Sequence, residues 1–314
     1  MKLQTQIPLK KQENNQIDYQ SKTLLLGSCF VENIGNKLAY FKFHIQQNPF
    51  GILFHPKAIE TLVSNAIYQK AYTETDIFYY NEQWHCFDVH SKLSNASKEK
   101  LLLELNTAIK STHQYMQEAT HIIMTLGTAW VYGNIKQDAI VANCHKIPQK
   151  AFAKKLLSVD DISKSLDNCL QLIKTINPKA TIIFTVSPIR HIKDGFIENT
   201  QSKAHLITAI HQITNHQFFY FPSYEIMLDE LRDYRFYAED MLHPNQTAIH
   251  YIWEKFQQVW MSPKVDKMMQ DIDTIQKGFQ HQPFNPNSEA HQKFLHHLEV
   301  KKSELQSKFP HITF

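Results

Sequence analysis

Glycine is scarce, with seven in 314 residues. Each is therefore expected to hold a backbone position that other residues cannot. Cysteine is scarce too. Cys29, Cys86, Cys144 and Cys169 show no metal-ligand spacing, and a chain this long needs no disulfide framework, so they read as reduced thiols. No sign of charge dominates: 33 basic residues are interspersed with 30 acidic ones, a net charge of +3. That balance gives no patch for nucleic acid or an anionic membrane. Long apolar runs are absent. Nothing approaches the length of a membrane span, and MKLQTQIPLKKQENNQ lacks the apolar core of a signal peptide, so no membrane association is expected and the location reads as cytoplasmic. Internal repeats are absent as well. The 18 histidines have no repeated ligand spacing, so no metal site is expected, although they should raise the surface charge as pH falls toward 6. What is present is apolar material: 43% of the residues are hydrophobic, enough for a large core.

The organising stretch is TLLLGSCFVENIG, residues 23–35. Thr23 to Leu26 form a short apolar run suited to a strand buried on both faces. Gly27 punctuates it, and Phe30, Val31, Ile34 and Leu38 then recur at helical spacing. The pattern is strand, tight turn, helix, with Ser28 at the turn. Such a hydroxyl sits at the carboxyl edge of a sheet, beside helix N–H groups that can stabilise an oxyanion. A serine here can equally cap the helix.

The rest of the chain repeats the alternation. Residues 1–22 read as a polar surface lead-in and 42–46 as a strand ending at the turn Asn48-Pro49-Phe50-Gly51. Residues 56–72 and 98–116 read as amphipathic helices. Between them, 77–80 and 84–89 form a β-hairpin inserted at the rim. A buried strand over 121–126 runs to Gly127, followed by a long loop through Pro148. A helix over 159–176, a strand over 181–186, a helix over 201–214 and a short strand over 218–221 come next. A polar and aromatic loop over 222–242 precedes a helix near 247–260. Residues 262–314 read as a polar extension, helical near 289–305, that packs on the core or mediates association. Strands alternating with helices imply a parallel, doubly wound sheet. Ligands bind such sheets at the carboxyl ends of the strands, which here carry Ser28, Asn48 to Gly51, Gly127 and Thr128, Ser187 to His191, and the segment after Phe221.

A serine nucleophile needs a base oriented by a carboxylate. The segment Tyr237-Ala238-Glu239-Asp240-Met241-Leu242-His243-Pro244 offers both. Asp240 and His243 are three apart, just before the last helix, and that spacing can bring their side chains to one side. An isolated turn aspartate beside a surface histidine is the bland reading of the same residues.

Gly27-Ser28-Cys29-Phe30 together with Asp240-Met241-Leu242-His243-Pro244 resembles the GSCFA family, part of the SGNH/GDSL hydrolase superfamily of serine esterases. Asn48-Pro49-Phe50-Gly51, Thr125-Leu126-Gly127-Thr128-Ala129-Trp130, Asn143-Cys144-His145-Lys146, Ser187-Pro188-Ile189-Arg190-His191 and Tyr224-Glu225-Ile226-Met227 resemble the same family, over about residues 20–260. The resemblance implies a three-layer α/β/α sandwich in residues 1–261, with the small hairpin inserted and the helical extension appended. It implies Ser28 as nucleophile, His243 as general base and Asp240 as orienting acid. The Ser28 N–H and Gly51 would be oxyanion donors. The superfamily's third donor is an asparagine in a Gly-x-Asn-Asp motif. This sequence instead has Gly127-Thr128-Ala129-Trp130, which leaves Thr128, Asn143 or a backbone N–H to substitute.

Further candidates for substrate contact are Arg190 and His191 after the 181–186 strand, where a structural ion pair is the competing role. Asn143 and His145 lie in the long loop, and Trp130, Tyr132, Trp84 and Tyr224 could wall a sugar or acyl group. Cys29 could act as a thiol nucleophile, or pack as a small buried residue. The expected reaction is hydrolysis of a short acyl ester on a sugar or other small polar molecule, without a cofactor. Acyl transfer uses the same triad, and a binding protein that keeps the fold without catalysis is the rival from another class. Oligomeric state is left open by the sequence.

Overall fold

The structure, a computed structural model, describes residues 5–213 and 218–314. Its central sheet is fully parallel and contains five strands: β1 (Lys22–Gly27), β2 (His44–Gln47), β5 (His121–Leu126), β9 (Thr181–Val186) and β10 (Phe218–Tyr220), in the order β10-β9-β5-β1-β2. The alternation of strand side chains assigns its two faces. Leu24, Leu26, Ile122, Met124, Ile182 and Phe184 point into one apolar cluster with α2 (Pro56–Ile67), α3 (Lys98–Glu118), α4 (Val159–Ile176) and α5 (Phe196–Gln212). Leu25, Ile123 and Ile183 point into the other, with α1 (Phe30–Tyr40) and α7 (Gln246–Trp260). Both faces are covered, which is why these strands read as continuous apolar runs. The result is the expected α/β/α sandwich.

Taking only the parallel strands in chain order, the sheet runs 2-1-3-4-5. Connections leave β1 toward opposite edges, so the switch point lies between β1 and β5. Sheets of this order bind ligands in the crevice at that point, beyond the carboxyl ends of the strands. Gly27 pairs in register with Thr125 there, and Leu126 with Val186.

Strands 121–126 and 181–186 and helix 159–176 coincide with their expected bounds. The rim hairpin is present as β3 (Ile77–Tyr80) and β4 (Gln83–Cys86). It closes on Asn81 and Glu82, both at positive φ (45° and 60°), the twist that two-residue hairpins favour. The long loop after Gly127 is a correction. Its first half is antiparallel sheet: β6 (Trp130–Asn134) lies between β7 (Ala139–Val141) and β8 (Phe152–Leu156). The chain turns through Asp138 at φ 48°, without the glycine that would announce a hairpin in the sequence. Helix α5 starts earlier than expected because Phe196 and Ile197 are exposed, which hid its first turn from a search for a buried stripe. Its expected last residue, Thr214, lies outside the described residues. The segment 222–242 is helical in part: α6 (Ser223–Glu225) runs into a wide turn over Ile226–Glu230.

The lead-in is more than surface. Ile17 is fully buried, its N–H donates to the Trp260 carbonyl (2.8 Å), and its own carbonyl accepts from Ser262 (3.0 Å). The extension holds two helices, α8 (Asp266–Gln280) and α9 (Glu289–Lys308). Met269, Ile272, Ile275, Leu298 and Leu305 enter the same apolar cluster as α1 and α7, and Tyr40 donates to Asp273 (2.8 Å). The extension therefore packs on the core. No helix among the described residues is long and apolar enough to cross a membrane.

Candidate active site at the sheet switch point

Gly27 ends β1 at φ +130°, and a Cβ there would lie 2.1 Å from the Thr125 carbonyl oxygen. Only glycine lets the two strands pass this closely while the chain turns. Asn48 fixes the turn by accepting the Gly27 N–H on Oδ1 (2.9 Å). Ser28 follows, fully buried. Its carbonyl accepts from Val31 (2.9 Å) as α1 begins. No side chain caps α1, so the capping role open to Ser28 from the sequence is not the one it takes. Its Oγ is buried without a hydrogen-bond partner. Leaving a hydroxyl so costs about 1–3 kcal/mol, and such an atom calls for a ligand.

Cys29, next in the chain, sits half-buried against the α1–α7 cluster. Burial pushes its thiol up, outweighing the helix N–H groups and the nearby Lys203 ammonium that pull it down. Its thiolate is thus disfavoured beside Ser28.

The Asp240–His243 loop is closely held. Tyr237 and Pro244 form an antiparallel bridge, Ala238 donates to the His243 carbonyl (2.7 Å), and Met241 turns at φ 58°. Asp240 Oδ1 accepts the N–H groups of Leu242 (2.9 Å) and His243 (3.0 Å), while Oδ2 bonds the His243 ring at Nδ1 (2.6 Å). Those two backbone N–H groups, and then the ring, hold the Asp240 carboxyl down at about 2. The carboxylate is thereby fixed on Nδ1, which leaves Nε2 of the half-exposed ring for chemistry.

Two strand-end loops connect this loop to Ser28. Arg190 donates its N–H to the Leu242 carbonyl (3.2 Å), and its guanidinium lies over Tyr237 (4.5 Å) and Tyr234 (5.3 Å). Arg190 thus clamps the Asp240–His243 loop. His191, the next residue, turns the other way. Its N–H is held by Asn199 Oδ1 (2.9 Å) and its ring packs edge-on against Phe54. Its Nε2 is buried without a partner. Burial first, then the charges of Lys203 and His243, push it down to about 3, so the ring is neutral. Gly127 lies between His191 and Ser28: a Cβ added there would be 3.0 Å from Ser28 Cβ and 3.2 Å from His191 Nε2.

The backbone N–H groups around this corner are engaged. Ser28 donates to the Thr125 carbonyl (3.0 Å), Gly51 to the Asn48 carbonyl (2.7 Å), and Gly127 and Thr128 both to the Phe54 carbonyl (2.8 and 2.9 Å). Gly51, at φ +72°, closes the Asn48 turn against His90. Thr128 Oγ1 accepts from the Trp130 N–H (3.0 Å) and bonds Ser202 (3.1 Å). Beside them a cavity of about 460 Å³ opens between the strand ends and the β6–β8 sheet, lined by Phe54, Thr128, Trp130, Tyr132, Asn143 and His191 among others. The structure thus gathers Ser28, Gly127 and His191 at one corner, puts Thr128 and Asn143 on the adjoining wall, and pairs Asp240 with His243. His145 Nε2 bonds the Cys86 carbonyl (2.7 Å). Trp84 and Tyr224 lie off this cavity: Trp84 packs on Tyr79 and Tyr224 under the Lys203 ammonium.

Lys203 was not evident from the sequence. It is fully buried, and its Nζ donates to the carbonyls of Gly127 and Ser187, both at 2.7 Å, tying the ends of β5 and β9 together beneath the corner. Burial pushes it down to about 7. A signal existed: Lys203 precedes Leu206 by three and Ile210 by seven, which puts a lysine on the apolar stripe of α5.

Among the described residues no group of three or more His, Cys, Asp or Glu side chains is placed to hold a metal ion. The chain shows similarity to three solved esterase structures. One is a carbohydrate esterase family 3 from Talaromyces cellulolyticus, with TM-score 0.37, 9% identity and 80% of this chain on 99% of that one. A second is a mutant acetyl esterase with acetate ion, at 0.36 and 12% with the same 80% and 99% coverage. A third is an acetyl xylan esterase, Est2A, from the rumen bacterium Butyrivibrio proteoclasticus, at 0.34 and 12% with 77% of this chain on 64% of that one. No curated protein matches. Residues 272–314 match the model of the GSCFA domain protein C-terminal domain. With residues 22–256 matching the GSCFA family model, the chain belongs to the GSCFA family.

Proposed function

We propose that the protein is a serine esterase of the SGNH/GDSL type, with Ser28 as nucleophile, His243 as general base and Asp240 as its orienting carboxylate. The observation that carries this reading is the 2.6 Å bond from Asp240 Oδ2 to His243 Nδ1, in a loop fastened to the strand end that carries His191, across Gly127 from the unpartnered Ser28 hydroxyl. In the proposed step, Ser28 Oγ bonds to the ester carbonyl carbon while its proton passes to His243 Nε2. The carbonyl oxygen becomes an oxyanion, then re-forms the double bond as the C–O bond to the alcohol breaks. His243 returns the proton to the departing alcohol. A water molecule repeats the sequence on the acyl-enzyme, releasing a carboxylic acid and restoring Ser28. Asp240 stays ionised and stabilises the imidazolium that forms twice in the cycle. The substrate class is a short acyl ester of a sugar or small polar alcohol. The roughly 460 Å³ cavity with Trp130 and Tyr132 in its wall is of the size and character that small ligands occupy.

Turnover of p-nitrophenyl acetate, followed by the release of nitrophenolate, tests the assignment. Ser28→Ala and His243→Ala are expected to abolish it with the fold intact. Unchanged rates in both variants would overturn it.

A further inference from the structure

An esterase needs donors aimed at the oxyanion, and this corner lacks the usual ones. The N–H groups of Ser28, Gly51, Gly127 and Thr128 each end on a protein carbonyl, and the chain has Thr128-Ala129 where the superfamily carries an asparagine donor. Asn48 Nδ2, whose amide oxygen holds the Gly27 N–H, is buried without a partner, and so are two atoms on either side of the strand-end turn, Ser28 Oγ and His191 Nε2. The latter two flank one glycine, Gly127, whose missing side chain leaves the space between them open. A tetrahedral centre bonded to Ser28 Oγ would place its oxygen in that space.

We propose that neutral His191 is the oxyanion donor of this site, presenting an N–H at Nε2 to the oxygen that becomes negative when Ser28 attacks. The proposal rests on the serine-esterase reading above. The ring is positioned for the task from three sides: Asn199 holds its backbone N–H, Phe54 packs against its edge, and Gly127 admits the substrate oxygen. A neutral ring suits it, because an imidazolium would be acidic enough to surrender its proton to the oxyanion and would sit uncompensated beside the Lys203 ammonium and His243. The division of labour follows. Exposed His243, tied to Asp240, moves protons, whereas half-buried His191, with its Nε2 buried and no carboxylate on its ring, donates a fixed hydrogen bond. Hydrogen bonding to the developing charge in a dry corner is strong in the transition state and weak in the ground state, so its loss falls on kcat.

The test uses the full chain with p-nitrophenyl acetate, and reads kcat, KM, the pH profile and thermal melting of His191→Phe and His191→Gln beside Ser28→Ala. His191→Phe should lower kcat by about 10²–10³-fold with KM changed by less than about threefold, the loss typical of one oxyanion donor. His191→Gln, which keeps an N–H near the same place, should recover at least tenfold of that. Both variants should retain the acid limb of the kcat/KM profile, since the base is untouched. A kcat within threefold of wild type in a folded His191→Phe would overturn the proposal. So would a folded His191→Gln as slow as the phenylalanine variant, or an acid limb that vanishes in both, which would make His191 the base. Undiminished turnover by Ser28→Ala would instead overturn the underlying esterase reading.

Discussion

At residue scale the site depends on single atoms held at particular distances. Gly127 is one. A methyl group there would crowd the Phe54 carbonyl (3.0 Å), Ser28 Cβ (3.0 Å) and His191 Nε2 (3.2 Å) at once. Gly127→Ala is expected to reduce esterase kcat by at least tenfold while the melting temperature moves by only a few degrees, because neighbours need shift only a few tenths of an ångström. Parallel kinetics and calorimetry check this. Asp240→Asn should cost about 10⁴-fold in kcat, since an amide in place of Oδ2 favours the wrong imidazole tautomer. Stopped assays on the purified variant measure it. The order Gly27-Ser28 and the spacing of Asp240 and His243 made this pair legible in the sequence. The employment of each N–H was not. Whether Ser28 or Gly127 has a free donor depends on where the Thr125 and Phe54 carbonyls lie, and those belong to other elements.

At the scale of elements, two strand ends are stitched together from beneath by one lysine. Lys203 reaches from α5 to the carbonyls of Gly127 after β5 and Ser187 after β9. Lys203→Met keeps the length and apolar stem but leaves two buried carbonyls unsatisfied, at about 1–3 kcal/mol each. A lower denaturation midpoint and a KM or kcat defect from the loosened corner are expected together. Chemical denaturation with activity assays of the same samples would show it, and an unaltered midpoint would count against the stitch. Parallel strands buried on both faces announce themselves as apolar runs, so β1, β5 and β9 were legible. The β6–β8 insert was not, because its exposed strand residues and glycine-free turn resemble a loop. The extension read as polar because α8 and α9 each bury only a narrow stripe.

For the whole molecule, histidines wholly or partly removed from water set its response to acid. His55 and His145 are each pushed down to about 4 and His191 to about 3, in each case mainly by burial. Unfolding frees these rings to bind protons near pH 6.5, so below that pH the unfolded chain holds more protons and stability falls. Each histidine adds a slope of up to about 1.4 kcal/mol per pH unit between about 6.5 and 4. Asp240, held at about 2, acts in the same sense but only below about pH 4, where the unfolded carboxyl protonates before the folded one. Melting temperature is therefore expected to drop steadily from pH 7 to pH 5, and to drop less in His55→Gln, whose amide does not titrate. The most direct measurement of the central claim is the site of covalent capture by a fluorophosphonate, located by peptide mass spectrometry on the intact wild-type chain and on Cys29→Ala. The account predicts one adduct, on Ser28, formed at similar rates in both proteins and blocked by His243→Ala. An adduct on Cys29, or none on Ser28 in a protein that still hydrolyses p-nitrophenyl acetate, would contradict it.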